Sequence, residues 1–278
     1  MRRILCALLI LMLLPLCEAI AEADAPMPEI GVVTELRDGT VYDLDGDGSA
    51  DDVQLALTAD EYGNYMKFAL NVNGQSIRGE GCNLNDRLYV LKLNEYGGTL
   101  LLVSEYGPSY DPLTRFYLYE TGTLIPAGVI DALPDSMRIS GDVITAPVRG
   151  NVLYTWYHDA DFVMARAVAY DDEGNAVPPA PTMCLVPRYT YPMGLIVTLK
   201  VDLQLQLTMT DEQISTTLNA GSKAVLCASD DVKWVYIQDM DSQECGWLEL
   251  SGDFGFECIV EGIPTIATDV FDGLFLAD

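Results

Sequence analysis

The segment Asp43-Leu44-Asp45-Gly46-Asp47-Gly48-Ser49-Ala50-Asp51-Asp52 carries the densest potential chemistry in the chain. Side-chain oxygens recur at its first, third, fifth and ninth positions, and glycine stands sixth, where a sharp turn needs one. The backbone carbonyl of the seventh residue, here Ser49, normally completes such a shell. Ca²⁺ is a hard cation that takes a crowd of oxygens at about 2.3–2.6 Å. Carboxylates packed into one tight turn repel one another unless a cation stands among them. The expectation is therefore a calcium loop that stabilises rather than catalyses. It is not an EF-hand, because the twelfth position holds Gln54 instead of a bidentate Glu. Its flanks, Thr40-Val41-Tyr42 and Val53-Gln54-Leu55-Ala56-Leu57, are also β-like. Asp51, alone or with Asp52, has to stand in for the missing Glu.

Other chemistries are excluded by what the chain lacks. His158 is the sole histidine, so a histidine-built zinc or iron site cannot form, and a Ser-His-Asp or Cys-His arrangement has one place only. There is no Gly-x-Ser-x-Gly elbow. The forty acids outside the leader make some carboxylate pair inevitable by chance, so they do not argue for a glycan hydrolase, which stays the weakest alternative. No catalytic residue is expected. Five cysteines follow the leader, Cys82, Cys184, Cys227, Cys245 and Cys258, with no C-x-x-C pair among them. They are read as small buried hydrophobes, with a bridge among Cys227, Cys245 and Cys258 left open.

Charge and composition narrow the class further. The 278 residues carry a formal net charge of −27. Nucleic acid and anionic membrane surfaces both repel such a chain. Half of the residues are hydrophobic and they alternate regularly, which argues for a folded protein. Residues 1–23 have the form of a secretory signal: Arg2 and Arg3, an apolar run from Ile4 to Leu16, and small-x-small sites at Ala19-Ile20-Ala21 and Ala21-Glu22-Ala23. The apolar run is too short to span a bilayer, and no later stretch is long enough. An extracellular or cell-surface location follows. Lipidation at Cys17 is the weaker alternative, because Leu14-Pro15-Leu16 lacks the small residue expected before the cysteine.

The elements that must position the acidic loop read as strands. Turn signals at Asp38-Gly39, Asn73-Gly74, Gly97-Gly98, Thr121-Gly122, Ser140-Gly141 and Gly174-Asn175 separate short apolar runs. Between them the period is two: Met66, Phe68, Leu70 and Val72 share one face. The longest alternation runs over Leu195, Val197, Leu199, Val201, Leu203, Leu205, Leu207 and Met209. No helical pattern matches it, and the predicted fold is all-β. Residues 24–199 are expected to form a domain of antiparallel hairpins, and 200–278 a small barrel with a tail. Residues 89–103 repeat the outline of the acidic hairpin with the acids lost, and are expected to bind no metal.

Three resemblances follow from these residues. The loop and its flanks resemble the D-x-D-G-D-G-x-x-D calcium hairpins of integrin-α-like FG-GAP and VCBS repeats. The resemblance implies Asp43, Asp45, Asp47, Ser49 (through its backbone) and Asp51 as ligands, in a propeller-like or sandwich domain. Full propellers carry several such loops and this chain has one. Residues 200–252 resemble a bacterial SH3-like domain through Leu218-Asn219-Ala220-Gly221-Ser222-Lys223-Ala224-Val225-Leu226, Lys233-Trp234-Val235-Tyr236-Ile237 and Cys245-Gly246-Trp247-Leu248-Glu249-Leu250. In that family such domains often attach exported proteins to the peptidoglycan peptide, which implies Trp234, Tyr236 and Trp247 as a binding platform. The segment Ser104 to Asp111, with Phe116-Tyr117-Leu118-Tyr119 and the tail from Phe271 to Asp278, is similar to uncharacterised secreted proteins of Gram-positive bacteria. Glu105 and Asp111 there form a second, weaker candidate for a cation, against a turn braced by hydrogen bonds. The expected function is a non-enzymatic, calcium-stabilised binding protein of the cell envelope, contacting peptidoglycan or a surface protein. A structural or assembly component, whose exposed edge strand pairs with another chain, is the main alternative.

Overall fold

A computed structural model describes residues 25–37, 41–94, 97–108, 111–155, 158–166, 169–170, 173, 176–177, 180–188 and 190–276. The expected signal segment with Cys17 lies outside them, as do Asp38-Gly39 and Gly174-Asn175. Among the described residues the fold is nearly all β, as the alternation and turn spacing predict.

The first strands are β1 (Thr34–Leu36), β2 (Val53–Ala59), β3 (Tyr65–Val72), β4 (Gln75–Glu80), β5 (Leu84–Leu91), β6 (Thr99–Glu105), β7 (Leu113–Glu120) and β8 (Thr123–Ile130). They build a three-stranded sheet β2-β3-β4 and a five-stranded sheet β1-β5-β6-β7-β8. Next come β9 (Arg138–Ser140), β10 (Val143–Val148), β11 (His158–Arg166), β12 (Ala169–Tyr170), β13 (Ala176–Val177) and β14 (Pro181–Leu185). Of these, β14-β11-β10-β9 form a third sheet, also antiparallel.

The three sheets stack face to face, and β6 shows why. Its run Leu100-Leu101-Leu102-Val103 has no polar face, so the strand must be covered on both sides. Leu101 and Val103 pack with Phe68, Leu70 and Val72 of β3 in one apolar layer. Leu100 and Leu102 pack with Ile144 and Ala146 of β10 in the other. The five-stranded sheet is thus the filling between two half-exposed ones. β2 and β4 alternate half-buried and exposed residues, as strands with one wet face should.

The last group is β15 (Tyr191–Leu199), β16 (Leu203–Thr208), β17 (Asp211–Leu218), β18 (Lys223–Ser229), β19 (Trp234–Asp239), β20 (Cys245–Ser251), β21 (Glu257–Val260), β22 (Ile263–Ile266), the short helix α1 (Ala267–Val270) and β23 (Phe271–Asp272). Their sheet runs β17-β16-β20-β19-β18-β15-β23 and curls into a half-barrel. The long alternating run is two strands. It breaks at Lys200-Val201-Asp202, where Lys200 N donates to the Val270 carbonyl, and its halves enter the sheet at separate places, β15 beside β18 and β16 beside β20. Parity survives the break, so Leu195, Val197, Leu199, Leu203 and Leu205 all face one core. β15 therefore packs with the C-terminal core although it precedes Lys200. Val152 and Leu153 insert into this core from the loop after β10 and bind the half-barrel to the stacked sheets.

Candidate metal centre

The acidic loop is built around Asp43, which is 4% exposed. Its Oδ1 accepts from the N–H groups of Gly46 (2.7 Å) and Asp47 (3.1 Å), and its Oδ2 from Gly48 (2.9 Å). Three donors on one carboxylate force a tight coil. Gly46 and Gly48 sit at φ +82° and +87°, a region that L side chains enter with strain. The coil is anchored by Leu44, which is fully buried between the first two sheets. Thr99 Oγ1 donates to the Leu44 carbonyl at 2.7 Å. Asp51 closes the loop: its N–H donates to the Tyr42 carbonyl, and its Oδ2 accepts from Leu44 N at 2.6 Å.

Two distant turns complete the arrangement. Asn73, in the turn between β3 and β4, donates through Nδ2 to Asp51 Oδ1 (2.5 Å) and to the Tyr119 hydroxyl (2.8 Å). Its Oδ1 accepts from Asp52 N at 2.9 Å. Gly122, in the turn between β7 and β8, donates its N–H to Asp45 Oδ2 at 2.7 Å. The loop thus clasps a turn of the three-stranded sheet to a turn of the five-stranded sheet. Gln75 reinforces the link, donating to the Gly122 carbonyl and accepting from Leu124 N. Burial, and then the nearby Asp51 and Asp45 carboxylates, push the Tyr119 phenol up, so it stays protonated.

Asp43, Asp45 and Asp51 each bring one carboxylate oxygen within 4.8 Å of the others. Two oxygens on opposite sides of Ca²⁺ stand about 4.6–5.2 Å apart, so this spacing fits one cation in their midst. The donor set is all oxygen, which suits a hard ion. Asp45 Oδ1 is buried and has no hydrogen-bond partner. A buried carboxylate oxygen without a donor is costly, and a cation removes that cost. Of the expected ligands, Asp47 and Ser49 are exposed, and Asp47 Oδ1 accepts from Ser49 N at 2.7 Å, outside the cluster. Gln54 is exposed and turns to Asp52. Asn73, Tyr119 and Gly122 escape a sequence reading. Asn73-Gly74 and Thr121-Gly122 signal turns, but nothing in their spacing says that both turns meet the same loop.

The related hairpin at residues 89–103 is held differently. Lys92, 3% exposed, donates from Nζ to the Gly97 carbonyl at 3.0 Å, and Asn94 Oδ1 accepts from Gly97 N at 2.8 Å. Glu105 is paired with Arg115 at 2.7 Å and accepts from Cys82 N, so its turn is braced by protein donors. Asp111 Oδ1 is buried without a partner.

On the half-barrel, Val235 and Ile237 of β19 face the core while Tyr236 lies on the outer face. Tyr236 pairs across strands with Trp247, their ring centroids 5.0 Å apart. Trp234 is 6% exposed, with the Lys233 ammonium 5.3 Å from its ring centre. Of the three expected platform residues, Tyr236 and Trp247 touch and are half-buried, and Trp234 is covered. The Tyr236 hydroxyl donates to Cys245 Sγ at 2.8 Å, and this bond is the main cause that pushes its phenol up to about 12. The five described cysteines are all free thiols, so no bridge joins Cys227, Cys245 and Cys258. Among the described residues no helix is long and apolar enough to cross a membrane. Comparison with family models, curated proteins and solved structures finds no match to this chain.

Proposed function

We propose that this chain is an exported, non-enzymatic binding protein of the cell envelope, whose stacked sheets are braced by calcium and whose half-barrel carries an outward aromatic platform. The buried, unpartnered Asp45 Oδ1 beside Asp43 and Asp51 carries the calcium part. A cation there would draw three carboxylates together and tighten the clasp between the two turns. A structural role suits the position, since the loop lies against strand turns and its anchor Leu44 fills a core. The Tyr236–Trp247 pair supports the binding part, because two touching, half-buried rings, tilted at 53° to each other, offer apolar surface with polar edges. The signal-like residues 1–23 support export.

Co-sedimentation of the secreted chain with purified peptidoglycan, in calcium and in excess chelator, tests this function. The expected result is binding in calcium that Trp247→Ala weakens and that chelator reduces. Absence of binding in both conditions would overturn the envelope assignment and leave an assembly component in its place.

A further inference from the structure

Asn73-Gly74 is the sole Asn-Gly step in the chain, and it makes the turn between β3 and β4. Asn73 at φ +49° and Gly74 at φ +82° give the two positive angles of a type I′ turn. Both residues are exposed, and a Cβ on Gly74 would meet nothing within 4 Å. The backbone is therefore open to water, while the Asn73 side chain is fully engaged. Its Oδ1 accepts from Asp52 N, and its Nδ2 donates to Asp51 Oδ1 and to the Tyr119 hydroxyl. These partners fix the orientation of the amide, because a backbone N–H can only donate and an ionised carboxylate can only accept. Asn73 N also donates to the Asp52 carbonyl at 3.0 Å. An amide, and no acid, suits this place.

We propose that Asn73 is a self-modifying lock between the first two sheets: the closed turn guards its amide from deamidation, and a turn that deamidates while open cannot relock. The only co-reactant is water. The Gly74 backbone nitrogen attacks Asn73 Cγ, and the new N–Cγ bond closes a five-membered succinimide. The Cγ–Nδ2 bond breaks, and the amide nitrogen leaves as ammonia with the proton of Gly74 N. Water then opens the ring at either carbonyl, giving aspartate or isoaspartate. Gly74 permits the attack because no side chain shields its nitrogen. Ring closure needs Gly74 N to eclipse Asn73 Cβ about the Cα–C bond. A type I′ turn, with ψ at about +30° there, points the two apart. The bonds to Asp51, Asp52 and Tyr119 hold the side chain in place as well. Opening the turn removes both constraints. An aspartate at this position would still accept from Asp52 N, but it has no donor for Asp51 or Tyr119. It would set one negative oxygen against another where an amide hydrogen had been. Isoaspartate lengthens the backbone by one carbon, which the two-residue turn between paired Val72 and Gln75 cannot absorb in register. Gln75, the next side chain along, carries the link to Gly122 and Leu124, so the damage falls on the clasp. The assignment goes beyond the calcium-braced reading and does not depend on it.

Peptide mass spectrometry of the wild-type chain, aged in chelator at mildly alkaline pH, tests the guard. Asn73 should convert to aspartate and isoaspartate at least about tenfold faster in unfolding urea than in native buffer, since the native rate follows how seldom the turn opens. Hydrogen exchange of Asn73→Asp, also in chelator, tests the lock. The amides of Asp52, Gly122 and Leu124 should lose at least about tenfold in protection, while those within β5 and β6 keep theirs. Equal conversion in buffer and urea, or no conversion in urea, would overturn the guard. Unchanged exchange in Asn73→Asp would overturn the lock. Loss of protection throughout that variant would overturn its confinement to the clasp, and the conversion rates of the wild type would still decide the guard.

Discussion

The acidic loop at Asp43–Asp51 and the turn at Asp239–Glu244 are both organised by a nearly buried aspartate, yet they differ in what their carboxylates lack. Asp239 Oδ1 accepts from Asp241 N (2.9 Å), Ser242 N (2.7 Å) and Ser242 Oγ (3.1 Å). Hydrogen bonds from the Ser242 and Asp241 backbone hold its pKa below the usual carboxylate value. Asp230 is similar, with Oδ1 accepting from the N–H groups of Val232, Lys233 and Trp234. In each turn the backbone neutralises one acid. The acidic loop folds three acids together and has donors for all but one oxygen. Acidity is common to all three places, and the unmet oxygen distinguishes the candidate metal centre.

The largest effect expected from this difference is on calcium-linked stability. Saturating calcium should raise the melting temperature by several degrees, about 3 kcal/mol at a hundredfold excess over Kd, and Asp45→Ala should remove that response. Thermal melts of both proteins in calcium and chelator check this. Asp239→Ala should leave the calcium response intact while lowering stability by about 1–3 kcal/mol, the cost of backbone donors left without their acceptor. Because the Asp239 pKa is depressed in the fold, its contribution is present above the unfolded value and lost as pH falls through the folded one. Urea titrations of wild type and variant at neutral and acid pH measure both statements.

A smaller effect separates the clasp from the buried His158. Burial lowers the His158 pKa from 6.5, so the unfolded chain binds the proton first. Its contribution to stability is therefore complete above that value and declines as pH drops from it toward the folded pKa. His158→Gln should flatten the pH dependence of stability just below pH 6.5 without altering the calcium response. Smallest of all, burial pushes the Cys258 thiol up to about 12. Cys258 should resist alkylation in the native chain at neutral pH and react on unfolding, as mass spectrometry of labelled peptides would report.

The fold class was legible because a period of two leaves little choice: Phe68, Leu70 and Val72 must share a face. The stacking of sheets was visible in principle at Leu100-Leu101-Leu102-Val103, a strand with no polar side. The break at Lys200-Val201-Asp202 was hidden, because a turn of odd length preserves the inward parity of Leu199 and Leu203. The carboxylate cluster was readable in its local half. Asp43, Asp45 and Asp51 announce themselves through spacing, whereas Asn73 and Gly122 reach the loop only through tertiary packing. Asp47 fits the pattern equally well but faces solvent. The His158–Asp231 pair joins residues far apart in sequence, and no local pattern marks it.

Isothermal titration of calcium into the wild-type chain and into Asp45→Asn tests the central claim most directly. A single site in the wild type that is lost or greatly weakened in the variant is the predicted result. No calcium binding by the wild type, or equal binding by both proteins, would contradict it.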